Sequence, residues 1–491
     1  MGWNTTKSEE RIKRFIANAP TVETGVTLAK SARLSVFAKA AADTKRFPTG
    51  QATLIQGAHL YGVLLDFDEL VLQDKRETEA SHARVLQFLD LHYRVWDALV
   101  EEDDAIRVDY HGPRVHVVVS DPEGNAAEQI RQAMSLAEKL EAAAKRVAAI
   151  HGFPARVRFG IDQGPCLAMT TGRSHEQDIL FLGSPANHAA KLAAGDRLHG
   201  IFLTESAQQK LKISPASDSA AQLRAIVASA SQQYRFAKFD AAVGRIEMDR
   251  APLTSFQFRR VSPPLSGVKF SDLTPANSIR MGMGSIFADI DGYTRYVDAA
   301  ILGGEAAIRN AVRDIHVLRE ELNSVAKEDF GGKRVRFIGD CIQCVLTEGS
   351  RLTDDGPKTV KESVYCASGM QSSFLLAQKM LKSIDKLGLA IGVEYGPVPL
   401  TRIGNRGLES VRCAASLAVT NSERLQQAIQ GSGISLGPNA LAQGDDAIRK
   451  YFQRPTKLPN YSDAATYFGT VSSPAVQIMR QDVTARPHAK F

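Results

Sequence analysis

Two aspartates in the C-terminal half of the chain have the setting that a metal–nucleotide site requires. Asp289 lies in the segment FADIDGYT (residues 287–294), an apolar run that ends in carboxylates beside a glycine. Asp340 ends a second such segment, RFIGD (residues 336–340). Both segments predict strands that lead into tight turns. Carboxylates on adjacent strand ends are the ligands with which a pair of Mg²⁺ or Mn²⁺ ions holds a nucleoside triphosphate.

Three landmarks of the C-terminal half recur in the N-terminal half at a nearly constant spacing. The matched segments are 65–68 with 288–291, 107–115 with 334–342, and 159–165 with 391–397. Their matched positions are separated by 223 residues (Asp66 and Asp289), 227 residues (Gly112 and Gly339) and 232 residues (Gly164 and Gly396). Near-constant spacing is typical of a duplicated domain. We therefore expect two similar modules in tandem.

The hydrophobic periodicity predicts the same order of elements in each half: strand, long helix, hairpin, long helix, strand pair and helix. In the second half these are expected at 284–290, 293–325, 333–347, 360–386, 388–403 and 412–428. The order predicts an α/β fold, specifically an α+β sandwich with a ferredoxin-like βαββαβ unit in each module. The expected divisions are an N-terminal segment 1–57, a first module 58–212, a linker 213–281, a second module 282–455 and a C-terminal segment 456–491.

The composition indicates an ordinary globular protein. The chain has 491 residues, 44% of them hydrophobic and 23% charged, with a net charge of +6. This charge is too small and too scattered to predict a nucleic-acid partner. No apolar run is long enough to span a membrane, and the first twenty residues do not predict a signal peptide. Five cysteines in a chain of this size predict no disulfide framework. We therefore expect a cytoplasmic protein with a small-molecule substrate.

The two aspartate segments resemble the metal-binding motifs of class III nucleotidyl cyclases, the adenylate/guanylate cyclase family. The family motifs read roughly F-x-D-I-x-G-[FY]-T and K-x-x-G-D. The resemblance implies that Asp289, Ile290 and Asp340 hold two Mg²⁺ or Mn²⁺ ions. It also implies that the substrate phosphates bind backbone amides of Gly292, Tyr293 and Thr294, because a helix that starts after a glycine turn binds anions.

The N-terminal half keeps a different part of the same family pattern. Its segment FLGSPANHAAKL (residues 181–192) resembles the family helix G-x-x-V-N-x-A-x-R-L. The resemblance implies that Asn187 orients the ribose and that Lys191, an arginine in most relatives, stabilises charge on the α-phosphate. This half has Pro113 in place of Asp340, and the other half has Thr420 in place of Asn187. The complementary losses predict that the modules pair as a pseudo-heterodimer with one composite site.

Two further residues complete the predicted site. The family's usual basic phosphate-binding position is Pro397 here, and Arg402 is the predicted substitute. At the two base-reading positions the chain has Asp109 and Leu180. A carboxylate acceptor suits a base edge with N–H donors, such as guanine, uracil or the amino group of cytosine. An exposed strand end is the plain alternative for Asp109.

The tandem organisation and this base pocket resemble the Pycsar anti-phage cyclases. That resemblance implies a cyclase that converts CTP or UTP to its 3′,5′-cyclic monophosphate, a second messenger that a separate effector binds. Two alternatives remain open at this point. One is an adenylate or guanylate cyclase in ordinary signalling. The other is a catalytically inactive nucleotide-binding regulator, because several family positions differ.

Overall fold

A computed structural model of the protein describes residues 2–23, 51–120, 125–151, 156–171, 178–213, 244, 255–453 and 460–469. The strands in these ranges form two seven-stranded sheets. None of the helices in these ranges is both long and apolar enough to cross a membrane.

The first sheet belongs to the N-terminal half. Its strands are β1 (Thr21–Glu23), β2 (Gln51–Leu64), β3 (Ile106–His111), β4 (Arg114–Val119), β5 (Val157–Thr171), β6 (Asp178–Leu182) and β7 (Gly200–Leu203). They are ordered β3-β4-β2-β5-β6, with β1 beside β2 and β7 beside β5. The helices of this half are α1 (Thr5–Ala17), α2 (Phe67–Val71), α3 (Glu79–Glu102), α4 (Ala126–His151), α5 (Ser184–Ala193) and α6 (Glu205–Lys210).

The second sheet has the same strand order. Its strands are β8 (Phe258–Arg259), β9 (Ser278–Asp291), β10 (Lys333–Ile338), β11 (Cys341–Leu346), β12 (Gly388–Ile403), β13 (Val411–Ala414) and β14 (Gly433–Leu436). They are ordered β10-β11-β9-β12-β13, with β8 beside β9 and β14 beside β12. The helices are α7 (Tyr293–Gly303), α8 (Glu305–Ser324), α9 (Gly356–Leu381), α10 (Leu417–Gln427), α11 (Pro438–Gln443), α12 (Asp446–Tyr451) and α13 (Tyr461–Gly469).

Two kinds of predicted element differ from the structure. The strand pair predicted in each half, at 388–403 in the second, is a single long strand, β5 in the first half and β12 in the second. Each pairs along its length with the central strand of its sheet, so Gly164 lies opposite Gly57, and Gly396 opposite Met283, without a turn. The helix expected over 293–325 is divided into α7 and α8 at Gly304, whose φ of +82° is the left-handed conformation that glycine accommodates.

Strand pairing aligns the two halves differently from their aspartate motifs. Gly160 lies opposite Tyr61 in the first sheet, and Gly392 lies opposite Phe287 in the second. Each glycine lies directly beneath the backbone of the helix that crosses its sheet, α5 or α10, where a side chain would clash. The two glycines therefore occupy the same position, and Tyr61 corresponds to Phe287.

It follows that Val63, and not Asp66, corresponds to Asp289. The alignment of Asp66 with Asp289 in the sequence was therefore three residues out of register. The first half lacks both metal carboxylates, because Val63 and Pro113 occupy their positions. Asp66 has a structural role instead, since its carboxylate accepts hydrogen bonds from Arg156 at 2.7 and 2.5 Å.

Buried charges join the two sheets at their edge strands. On one side lie β3 and β6 of the first half, and on the other β10 and β13 of the second. Asp178 is bonded to Arg412 and lies 3.3 Å from Arg334, and Arg336 donates to both oxygens of Asp109 at 3.1 and 3.2 Å. The three arginines are buried. Because an unpaired buried charge is costly, each half needs the other at this junction.

The segment before the first sheet also bridges the two halves. Helix α1 packs on α8 and α9 of the second half, whereas β1 pairs with β2 in the first sheet. Arg11 of α1 is only 3% exposed and bonds Glu321 and Asp329 of the second half at 2.7 to 3.0 Å. This segment, in which the sequence shows no motif, therefore acts as a strap.

Part of the segment predicted as a linker packs as core. Leu265, Phe270 and Leu273 are buried in one hydrophobic cluster with residues of β9 and β12, and β8 pairs with β9. Residues 214–243 and 245–254 of the predicted linker lie outside the described residues.

Replacing Arg11 with methionine should destabilise the protein by about 3–5 kcal/mol, because Glu321 would remain buried without its cation and Asp329 would keep only the half-exposed Lys7. Urea denaturation followed by circular dichroism measures the change in free energy of unfolding. Lys13→Met is the matched control. Lys13 lies on the same helix in a surface ion pair with Glu9, and its loss should cost under about 1 kcal/mol. Equal losses in the two variants would contradict the strap.

Candidate active site

The two predicted metal carboxylates lie on neighbouring strands of the second sheet. Asp289 lies near the end of β9, and Asp340 lies in the turn between β10 and β11. Because β11 runs antiparallel to β9 with Ile342 opposite Ala288, the turn brings Asp340 beside the last residues of β9. Gly339 allows this tight turn with a φ of +59°.

The environment of these carboxylates favours a bound cation. Burial raises the pKa of Asp289 to about 6, and the charges of Asp291 and Glu423 add to the effect. Burial and the charge of Asp289 likewise raise the pKa of Asp340. Gln426 donates one hydrogen bond to Asp289 at 3.2 Å, which does not neutralise it. Two half-buried carboxylates that repel each other are relieved by a divalent cation.

The donor set fits ions that arrive with a nucleotide. Within the described ranges, no group of three or more His, Cys, Asp or Glu side chains is arranged to hold a metal ion by itself. Mg²⁺ commonly uses only one or two protein carboxylates and completes its shell with substrate phosphates and water. Asp289, Asp340 and the main-chain carbonyl of Ile290 match this pattern.

The predicted phosphate-binding turn follows the first carboxylate. Gly292, with a φ of +84°, comes directly after β9, and α7 begins at Tyr293. The first amides of a helix have no partner within the helix and attract anions. The side chain of Tyr293 is buried and donates to the carbonyl of Ala311, so the main chain of this turn is the part available to phosphate.

Helix α5 of the first half lies directly against this turn. The side-chain amide of Asn187 donates to the hydroxyl of Thr294 in the second half. Lys191 follows one turn later on α5 and is exposed. The structure therefore brings Asn187 and the phosphate-binding turn together, although 107 residues separate Asn187 from Thr294 along the chain.

The predicted base-reading residue lies at the same junction. Asp109 on β3 keeps 33% of its side chain exposed while both its oxygens accept hydrogen bonds from Arg336. Sequence reasoning missed Arg336, but the internal repeat contained the signal. Arg336 precedes Gly339 by three residues, as Asp109 precedes Gly112, so the two residues occupy equivalent positions and meet across the junction.

Tyr61 is a second residue that the sequence did not indicate. Its ring stacks on His116 with 4.0 Å between the ring centroids. Burial raises the pKa of Tyr61, and the charges of Asp109 and Asp340 raise it further. Tyr61 of the first half is therefore close to carboxylates of both halves.

The structure does not bring Arg402 to the site. Ala390 is the residue of β12 opposite Asp289, and Arg402 follows twelve residues later on the same strand. At ~3.3 Å per residue, the two positions are about 40 Å apart along the strand. The guanidinium of Arg402 donates instead to the carbonyl of Gly407.

A second cleft lies between the opposite parts of the two halves. We define it by Val63, Pro113, Arg114, Thr420 and Glu423, which line a cavity of about 120 Å³. Ion pairs cross it, between Arg114 and Glu423 and between Arg424 and Asp68. Its volume is below the roughly 300–1,000 Å³ of ordinary ligand pockets. The second cleft has Val63 and Pro113 where a second metal site would need carboxylates.

Comparison with known proteins identifies the family. A model of the adenylate and guanylate cyclase catalytic domain matches residues 63–234. A uridylate cyclase from a Rhizobium species is 39% identical and covers 92% of each chain. The chain belongs to the class III nucleotidyl cyclases. A uridylate cyclase from Pseudomonas aeruginosa is 36% identical to this cyclase, over 85% of the chain and 84% of that protein.

A solved structure extends the comparison to the whole fold of the cyclase. The crystal structure of a class III adenylyl cyclase-like ATP-binding protein from Pseudomonas aeruginosa superposes with a TM-score of 0.83 at 33% identity. It covers 95% of this cyclase and 99% of that chain. The class III cyclase fold predicted from the motifs is therefore confirmed.

Asp289→Ala and Asp340→Ala should each abolish cyclisation, because each removes one of the few hard oxygen ligands. Neither should lower the thermal stability of the metal-free protein, since each relieves repulsion between carboxylates. Mass spectrometry of the products measures the loss of cyclisation. Calorimetric titration with Mn²⁺ plus nucleotide measures the loss of metal binding. Asp66→Ala is the matched control, and it should keep most of the activity. Near-normal turnover in either metal-site variant would contradict the assignment.

Proposed function

We propose that this cyclase converts UTP to 3′,5′-cyclic UMP and pyrophosphate at one composite site. In this proposal residues 58–212 and 282–455 are two cyclase modules in tandem that pair as a pseudo-heterodimer. The observation that carries it is the contact of Asn187 with Thr294, which joins the ribose half to the turn beside Asp289 and Asp340. The equal strand order of the two sheets supports the pairing.

Each group would have a separate part in the reaction. Two Mg²⁺ or Mn²⁺ ions held by Asp289, Asp340 and the Ile290 carbonyl would lower the pKa of the ribose 3′-hydroxyl and neutralise the triphosphate. Asn187 would orient the ribose so that its 3′-oxygen lies in line with the α-phosphorus. Lys191 would face the negative charge that grows on the α-phosphate. It would do so as a compact point charge, without the bidentate geometry of an arginine.

The curated relatives favour a pyrimidine, because two that align with most of this chain are named uridylate cyclases. Asp109 and Arg336 are compatible with that choice. They place an acceptor beside donors, which suits the N–H and carbonyl groups of uracil or guanine and disfavours adenine. CTP is the second candidate, because the same acceptor suits the amino group of cytosine.

The proposed biological role follows from the same relatives. We place cyclic UMP as a second messenger in anti-phage defence, read by a separate effector, and the support is the resemblance to the Pycsar cyclases. The proposed location is the cytoplasm.

A four-nucleotide assay tests the function. The purified full chain is incubated with ATP, GTP, CTP and UTP in the presence of Mn²⁺, and the products are identified by mass spectrometry. Cyclic UMP as the main product supports the proposal. Cyclic AMP or cyclic GMP as the main product would assign ordinary signalling. No product from any nucleotide, together with nucleotide binding, would assign an inactive regulator.

Asn187→Ala should remove most of the activity, by about a hundredfold, because loss of ribose orientation misplaces the attacking oxygen. Thr420→Ala changes the corresponding position of the second half and is the matched control. Because Thr420 lies in the second cleft, this variant should keep most of the turnover. Initial rates at saturating UTP measure both. Equal and severe losses would mean two working sites and overturn the composite model.

Asp109→Ala should lower the preference for the native triphosphate by about ten- to a hundredfold, and more than it lowers total turnover. Asp109→Asn keeps one acceptor oxygen beside Arg336 and should retain part of the preference. The product ratio from an equimolar mixture of the four nucleotides measures the effect. An unchanged ratio in the alanine variant would remove Asp109 from the base pocket.

A further inference from the structure

One carboxylate of the second half binds the start of the helix that carries Asn187 and Lys191. Asp298 on α7 accepts a hydrogen bond from the backbone N–H of Ser184 at 2.9 Å and a second from its hydroxyl. Ser184 is the first residue of α5, and the preceding Gly183 has no side chain with which to cap the helix. A carboxylate at this position stabilises the helix through its free amides and its dipole.

A second hydrogen-bonded contact joins the same pair of helices. Thr294 lies one turn before Asp298 on α7, and Asn187 lies one turn after Ser184 on α5. The bonds from Asn187 to Thr294 and from Ser184 to Asp298 therefore join the helices at successive turns. Helix α7 itself starts directly after β9, the strand that carries Asp289. The ribose-orienting helix is thus held in a fixed position relative to the metal carboxylates.

We infer that Asp298 is a positioning residue, which sets where Asn187 and Lys191 lie relative to the reacting phosphate. The inference rests on the proposed cyclase activity. Asp298 touches neither substrate nor metal in this role, and it acts through α5. A shift of about 1 Å in a catalytic group costs about a hundredfold in rate, so loss of this cap should lower kcat.

The second cleft offers a matched control. There Glu77 of the first half accepts a hydrogen bond from the backbone N–H of Leu417, the first residue of α10, at 2.9 Å. The bond is of the same type and also crosses the junction, but the start of α10 carries no predicted catalytic residue. Gln426, which contacts Asp289, lies at the other end of α10, and the start of this helix is capped in addition by its own Ser416. Glu77→Ala should therefore lower the melting temperature without lowering kcat.

The test compares kcat, KM for UTP and melting temperature in the full chain. Asp298→Ala should lower kcat by about ten- to a hundredfold, with a smaller change in KM and a loss of stability similar to that of Glu77→Ala. Asp298→Asn keeps an acceptor for the Ser184 N–H and should restore most of the turnover. In an Asn187→Ala background, Asp298→Ala should lower kcat by a smaller factor than in the parent, because part of its effect acts through Asn187.

Two results would overturn the inference. One is an Asp298→Ala variant with the kcat of Glu77→Ala. The other is a double variant in which kcat falls by the full product of the two single-variant factors, which would show that Asp298 and Asn187 act independently. If Asp298→Ala does not fold, Asp298→Asn and Ser184→Ala decide, and parent-like kcat in both would overturn it. An unmodified chain that cyclises none of the four nucleotides would overturn the proposed function, and this inference with it.

Discussion

The junction of buried charges between the two sheets is the constraint on which the rest of this cyclase depends. Asp178 of the first half bonds Arg412 of the second and forms an ion pair with Arg334, and Arg336 of the second bonds Asp109 of the first. Desolvated charges that lose their partners cost several kcal/mol each. The edge strands are therefore fixed relative to one another, and with them the distance between α5 and the metal carboxylates. The proposed activity therefore depends on how the two halves are positioned relative to each other.

That fixed position brings the predicted metal carboxylates and Asn187 together on one side only. In the proposed site, two carboxylates repel each other, and a helix start and Asn187 lie close by. In the second cleft, Val63 and Pro113 replace the carboxylates, and ion pairs such as Arg114–Glu423 occupy the space. Burial alone would raise the pKa of Glu423, yet Arg114 and His111 hold it at about 2. A carboxylate committed to these partners at neutral pH acts as structure and not as a metal ligand.

The sequence contained the chemistry of the site but not its register. Asp289, Asp340 and Asn187 could be predicted because their motifs depend on local turns and helix starts. Asp66 was aligned with Asp289 by the similarity of two short motifs. Strand pairing, which fixes the register residue by residue, aligns Val63 with Asp289 instead. Arg402 was placed in the site because the Gly396-Pro397 step resembles a turn. In the structure β12 continues through this step, which carries Arg402 away from Asp289. The strap formed by α1 could not be predicted, since its partners Glu321 and Asp329 are more than 300 residues away.

The two clefts have similar helix contacts but different side chains. At both clefts a carboxylate of one half binds the first residue of a helix of the other, Asp298 with Ser184 and Glu77 with Leu417. Both helices start at the junction, and the free N–H groups of their first turns need acceptors whether or not the cleft is catalytic. Catalysis needs a complete set of groups only once. The shared caps therefore hold the two halves in similar ways, while the side chains between them give only one cleft the carboxylates and the asparagine that the proposed reaction needs.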